Sequence, residues 1–186
     1  MIISEEYKNQ LELMHTGRGE KIGYGIEPAV KLIETIKSYP ITTVLDFGCG
    51  QGKMIIRLME IFPNLKIQGY DPGVERYALL PTDPVDLIYS ADVLEHIEPD
   101  HIAEVLKNLW NLGQYQYHNI ACHPAKKKLS DGRNCHLIIE KPDWWLEKIK
   151  STLDPDCKLV YTNVYHTFGK KRKGTYLEVV IERQLK

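Results

Sequence analysis

The stretch Thr43-Val-Leu-Asp-Phe-Gly-Cys-Gly-Gln-Gly-Lys53 constrains the fold of this chain more than any other. Val44, Leu45 and Phe47 carry the β-branched and aromatic bias of a buried strand. Gly48, Gly50 and Gly52 follow, and then apolar residues return at helical spacing: Met54, Ile55, Leu58, Met59, Ile61 and Phe62. A strand that breaks into glycines and resumes as a helix is the ligand loop of an open α/β sheet. Glycines adopt positive φ there and let a bound molecule approach the backbone. Asp46 stands near the carboxyl end of that strand, where such sheets bind their ligands. A plain turn needs fewer glycines. A dinucleotide loop has Gly-x-Gly-x-x-Gly, and counted from Gly48 its third glycine falls on Lys53; the spacing here is Gly-x-Gly-x-Gly.

With 186 residues, 43% of them hydrophobic, and a net charge of −1, the chain fits one compact domain. We expect an N-terminal helical cap segment over 1–40 and an α/β core over 41–186. No run approaches the ~18 apolar residues of a membrane span, so no membrane partner is expected. The start, Met-Ile-Ile-Ser-Glu-Glu, is acidic and lacks a signal-peptide pattern. Cysteines 49, 122, 135 and 157 show no disulfide-framework spacing, and a reducing cytoplasm is the simplest setting.

Ser4 to His15 reads as a helix capped by Ser4, with Tyr7, Leu11 and Met14 on one face. A glycine-rich connection holding Tyr24 leads to a second helix, Pro28 to Tyr39, with Val30, Ile33 and Ile36 inward. After the Lys53–Phe62 helix, Leu65 to Tyr70 alternates as a strand and ends at Asp71. An acceptor-only carboxylate there suits the paired hydroxyls of a ribose, and Asp71-Pro72-Gly73 also permits a turn. Val85 to Ser90 is the next clear strand. A helix from Pro99 to Trp110 and a strand from Tyr115 to Ala121 follow. A polar loop, a helix from Pro142 to Ser151 and strands at Lys158–Thr167 and Thr175–Glu182 complete the chain.

Leu45-Asp-Phe-Gly-Cys-Gly-Gln-Gly52 resembles motif I of the class I S-adenosylmethionine-dependent methyltransferases. Gly69-Tyr-Asp71-Pro-Gly looks like the acidic end of that family's second strand. Val85-Asp-Leu-Ile-Tyr-Ser-Ala-Asp-Val-Leu-Glu-His-Ile97 looks like its fourth strand and the turn after it. The resemblance implies an α/β, Rossmann-like sheet, mostly parallel, whose last strand runs antiparallel between the two before it. It implies S-adenosyl-L-methionine as cofactor. Gly48, Cys49, Gly50 and Gly52 would admit its methionine end and Asp46 its amino group. Asp71 and Pro72 would meet the ribose, and Ala91 and Asp92 would stand beside the methyl group. Tyr24 is a further pocket candidate, or an anchor for its loop. One segment departs from the family: only fourteen residues separate Asp71 from Asp86, and they include Pro81 and Pro84. We therefore expect the third strand to be reduced or missing, which leaves Asp83 as the nearest adenine contact.

Methyl transfer is an in-line displacement in which the protein aligns the acceptor and removes its proton. His96 is the base candidate by type, or a packing residue under the cofactor. Glu95, His136 and Arg133 complete the catalytic expectation. The turn after Ala91 and the loop after Ala121 leave the same sheet edge, and Arg133 suits a carboxylate or phosphate. Asp92, Glu95 and His96 with a distant His136 also resemble the divalent-metal site of small-RNA 2′-O-methyltransferases and, more loosely, of ubiquinone-pathway O-methyltransferases. There the first position is usually Glu, and the same run occurs in metal-free relatives. Cys122-His123 and Cys135-His136 lack zinc-site spacing. Lys126, Lys127 and Lys128 could share a positive rim with Lys170, Lys171, Arg172 and Lys173 and favour an anionic acceptor. Trp144 and Trp145 point about 100° apart on a helix, so one is expected in the core. The acceptor class is a hydroxyl or amine on a sugar, nucleic acid or phosphorylated metabolite. A non-catalytic cofactor-binding subunit is the alternative, and an oxidoreductase the third reading.

Overall fold

The computed structural model describes residues 3–16, 27–153, 157–168 and 173–184. Its centre is β1 (Thr43–Phe47), flanked in parallel by β2 (Lys66–Tyr70) and β3 (Val85–Ala91). β4 (Gly113–Ala121) continues the parallel set beside β3. β6 (Lys173–Arg183) lies antiparallel between β4 and the edge strand β5 (Cys157–Phe168), giving the order β2-β1-β3-β4-β6-β5. The C-terminal hairpin is thus threaded as expected. The sheet ends at β2. Between Asp71 and Val85 the chain makes one 3-10 turn, Glu75–Tyr77, and no strand. Two prolines without N–H donors and the short span leave no room for one. β3 and β4 therefore occupy the places of the family's fourth and fifth strands.

The pleat of β1 sends Leu45 and Phe47 to one face and Val44 to the other. Leu45 and Phe47 join a core with Ile88, Leu106 of α4 (Ile102–Leu112) and Trp145 of α5 (Pro142–Thr152). Val44 packs with Leu32 of α2 (Val30–Ser38) and Leu58 of α3 (Lys53–Ile61). Trp145 is fully buried and Trp144 half-buried, as the helix geometry requires. The inward face of α2 is Leu32, Thr35 and Ile36, and Val30 is 73% exposed, contrary to expectation. Val30 lies about 200° around the helix from Leu32, on the opposite side.

α1 (Glu5–Thr16) is capped as expected, the Ser4 hydroxyl accepting the Tyr7 N–H at 3.1 Å. Among the described residues no helix is long and apolar enough to cross a membrane.

Asp86 locks the register of β1 and β3. Its carboxylate accepts the Thr42 N–H at 2.7 Å, the Thr42 hydroxyl at 2.8 Å and the Thr43 N–H at 2.9 Å. Burial alone would raise its pKa, but these donors outweigh it and hold the carboxyl below its ordinary value. A depressed carboxylate contributes stability above the unfolded pKa and loses it as pH falls through the folded one. Asp86→Ala should therefore cost about 1–2 kcal/mol at neutral pH, a partly exposed charge-assisted set, with the deficit shrinking below about pH 4. Urea unfolding of both proteins at neutral and acid pH checks this; a deficit unchanged at acid pH contradicts it.

Candidate cofactor and acceptor site

The glycine loop folds over the end of β2, with the Gly48 and Cys49 N–H groups donating to the Tyr70 carbonyl at 2.7 and 3.1 Å. Gly48 has φ +82°, and a Cβ there would overlap the Val93 side chain, so both backbone and space demand glycine. Gly50 donates its N–H to Asp71 Oδ2 at 2.8 Å, and Gly73 donates to Oδ1 at 3.0 Å. Asp71 thus ties the loop to the turn after β2. Each carboxylate oxygen accepts more than one hydrogen bond, so these two ties do not exhaust Asp71.

A cavity of about 790 Å³, open solvent at its mouth included, lies along this edge. Gly48, Gly50, Asp71, Pro72, Asp92 and His96 line it from the sheet side. Ile3, Tyr7 and Leu11 close it from the N-terminal segment. Asp46, Cys49, Gly52 and Ala91 stand outside the lining. Asp46 is 3% exposed and its Oδ2 has no hydrogen-bond partner. Burial first, and then the charge of Asp71, push its pKa up to about 7. Asp92 adopts φ +54° at the exposed end of β3, its N–H held by the Asn119 carbonyl at 3.0 Å. Tyr24 lies outside the described residues.

Potential ligand atoms of Glu95, His96 and His136 lie within 4.8 Å of one another, and of the three only His96 is in the cavity lining. The His96 and His136 rings meet edge to face at 4.8 Å. Asp92 does not belong to this group. Glu95 is fully buried; its Oε1 accepts the Ala121 N–H at 3.1 Å, and its Oε2 has no partner. Burial, followed by the charge of Asp92, raises its pKa to about 8. The Nδ1 of His136 meets the His123 carbonyl at 2.5 Å, so Nδ1 carries the proton and Nε2 keeps the lone pair. Burial is the largest cause holding the His136 pKa below its usual value.

Arg133 is not in this cluster. Its guanidinium pairs with Asp131 through Nε at 2.7 Å and Nη2 at 2.6 Å, 46% exposed and away from the cavity lining. The long polar loop is also more ordered than its composition suggests. Asn134 braces it by donating to the Ala125 carbonyl and accepting the Ala125 and His136 N–H groups, each at 2.9 Å. Leu129 and Cys135 anchor it in the core. Lys126, Lys127 and Lys128 are exposed on it. Lys170, Lys171, Arg172 and the side chain of Lys173 lie outside the described residues.

The family described as "Methyltransferase domain" matches residues 18–112, half of the chain. The chain belongs to that family. No curated protein sequence matches it. The fold is similar to 1,6-didemethyltoxoflavin-N1-methyltransferase from Burkholderia thailandensis, solved with 1,6-didemethyltoxoflavin and S-adenosylhomocysteine. The TM-score is 0.68 at 18% identity, over 96% of this chain and 89% of that one. An S-adenosylmethionine-dependent methyltransferase from Methanosarcina mazei gives 0.67 at 12% identity, over 87% and 100%. The N-methyltransferase NodS from Bradyrhizobium japonicum WM9, solved with S-adenosylhomocysteine, gives 0.59 at 13%, over 95% and 98%. The chain carries a methyltransferase domain.

The sequence reading of this methyltransferase missed the cavity residues Ile3, Phe47, Tyr70, Val93 and Ile97. It took Tyr7 and Leu11 for ordinary inward positions of an amphipathic helix. The only available signal was that their helix precedes the core domain and needs a surface to cover.

A folded pKa above the unfolded one means that the fold holds the Glu95 proton, so stability falls as pH rises from about 4 towards 8. Gln is neutral throughout and can still accept the Ala121 N–H. Glu95→Gln should therefore gain stability relative to wild type as pH rises from about 5 to 9. Denaturant midpoints across that range test this, and a constant difference contradicts it.

Proposed function

We propose that this methyltransferase acts on a hydroxyl or amine acceptor that enters the cavity beside His96, with His96 taking the acceptor proton. The observation that carries this reading is one continuous cavity running from Asp71 and the glycine loop to His96. S-adenosylmethionine, when bound, supplies an electrophilic methyl group. Asp71 and Pro72 hold its ribose, and Gly48 and Gly50 admit its methionine end. The Oδ2 of Asp46, buried outside the lining and without a partner, is the candidate for its amino group. Ile3, Tyr7 and Leu11 exclude water from the cleft. Two of the similar structures are named N-methyltransferases, which keeps amines in the acceptor class. The exposed Lys126, Lys127 and Lys128 after β4 support an anionic acceptor, a nucleic acid among them. Four cysteines outside any disulfide suit a cytoplasmic setting.

The Glu95, His96 and His136 group supports a second reading. A buried carboxyl with one unpartnered oxygen and an imidazole whose Nε2 is left with its lone pair fit a divalent ion. Such an ion would lower the pKa of an acceptor hydroxyl. In this reading His96 is a ligand rather than a base.

One assay addresses both readings: release of S-adenosylhomocysteine from S-adenosylmethionine across a panel of hydroxyl and amine acceptors, with and without chelator. His96→Gln should lose roughly 10²–10⁴-fold in turnover, the range of a general acid–base group, with S-adenosylhomocysteine affinity unchanged. Loss of wild-type turnover in chelator, restored by a divalent ion, selects the metal reading. Full turnover by His96→Gln removes both.

A further inference from the structure

We infer that Tyr7 is a cofactor-contacting residue, its hydroxyl hydrogen-bonding the adenosine half of S-adenosylmethionine, and that α1 is the wall of the site that carries it. The inference rests on the cofactor site assigned above and adds a residue to it. Tyr7 is 1% exposed, yet it lines the same cavity as Asp71 and Pro72. Its hydroxyl finds no hydrogen-bond partner in the protein. A buried hydroxyl without a partner is costly, and phenylalanine fills the same space without that cost.

The surroundings say what kind of ligand fits. Burial is the main influence on the Tyr7 hydroxyl and raises its pKa, with the Cys135 thiol, Glu98 and Asp71 acting in the same direction. The phenol therefore stays protonated and is available as a donor. Asp71, an acceptor-only group in the same lining, complements it. Adenosine offers both counterparts, hydroxyls for the carboxylate and ether or ring-nitrogen lone pairs for the phenol.

α1 is fixed in register over the cavity by polar ties at two positions. The Ser4 N–H and hydroxyl both donate to Glu98 at 2.8 Å, one residue beyond Ile97 in the cavity lining. Gln10 donates to Asp131 Oδ2 at 2.9 Å, the same carboxylate that Arg133 grips. These ties fix where Tyr7 stands in the lining, which apolar packing of Ile3 and Leu11 alone would leave free to slide.

Tyr7→Phe keeps the ring and removes only the hydroxyl, so folding is not at risk. Calorimetric titration with S-adenosylhomocysteine should show Kd raised roughly fivefold to tenfold, the factor of one neutral hydrogen bond. The thermal midpoint without ligand should stay level or rise, because a buried orphan hydroxyl is gone. A purely structural role predicts the reverse, a lower midpoint with unchanged affinity. Binding within about twofold of wild type overturns the inference and leaves the cofactor reading intact. Failure of the wild-type protein to bind S-adenosylhomocysteine overturns both.

Discussion

The Asp71 carboxylate, held between the Gly50 and Gly73 N–H groups, is the interaction on which the site depends. It joins the loop after β1 to the turn after β2 and presents its oxygens along one side of the cavity. The loop reaches it only because Gly48, Gly50 and Gly52 take positive φ and Gly48 passes flush against Val93. The Tyr70 carbonyl fixes the start of the loop and Asp71 its middle. The ends of the first two strands and the turn after the third are therefore one mechanical unit, and the cavity is the space they leave.

The shortened connection after Asp71 reinforces that unit. Its 3-10 turn folds back, the Asp71 N–H donating to the Tyr77 carbonyl at 2.9 Å and Arg76 reaching the Gln51 carbonyl at 2.6 Å. The residues that stand in place of a third strand act as a strap on the glycine loop. On the opposite wall α1 closes the cleft, tied to Glu98 on the segment that follows His96. The acid–imidazole group of Glu95, His96 and His136 sits beyond, with Glu95 braced on the end of β4.

Much of this was legible because it rests on local rules. Glycine spacing, strand alternation, the Ser4 cap and the proline-broken connection each follow from backbone sterics, so the sheet and its missing strand could be read. The proximity of Glu95, His96 and His136 followed from topology, since both segments leave the same edge of adjacent parallel strands. The failures are competitions between partners. Arg133 had a carboxylate two residues away, and the local pair took the guanidinium expected for a substrate. The polar loop had Asn134 to brace it, so much of its polar composition serves its own structure. Tyr7 had the spacing of a core residue, and nothing in a helical period tells a core from the wall of a cavity.

We propose that Asp71 holds the ribose of S-adenosylmethionine while organising the loop around it. Calorimetry of S-adenosylhomocysteine binding to Asp71→Asn tests it most directly, because the amide keeps the size and one acceptor oxygen but cannot accept at both positions. The folded Asp71→Asn variant should lose about 1.5–3 kcal/mol of affinity, the scale of lost charge-assisted hydrogen bonds. Affinity equal to that of wild type in a folded variant would contradict it.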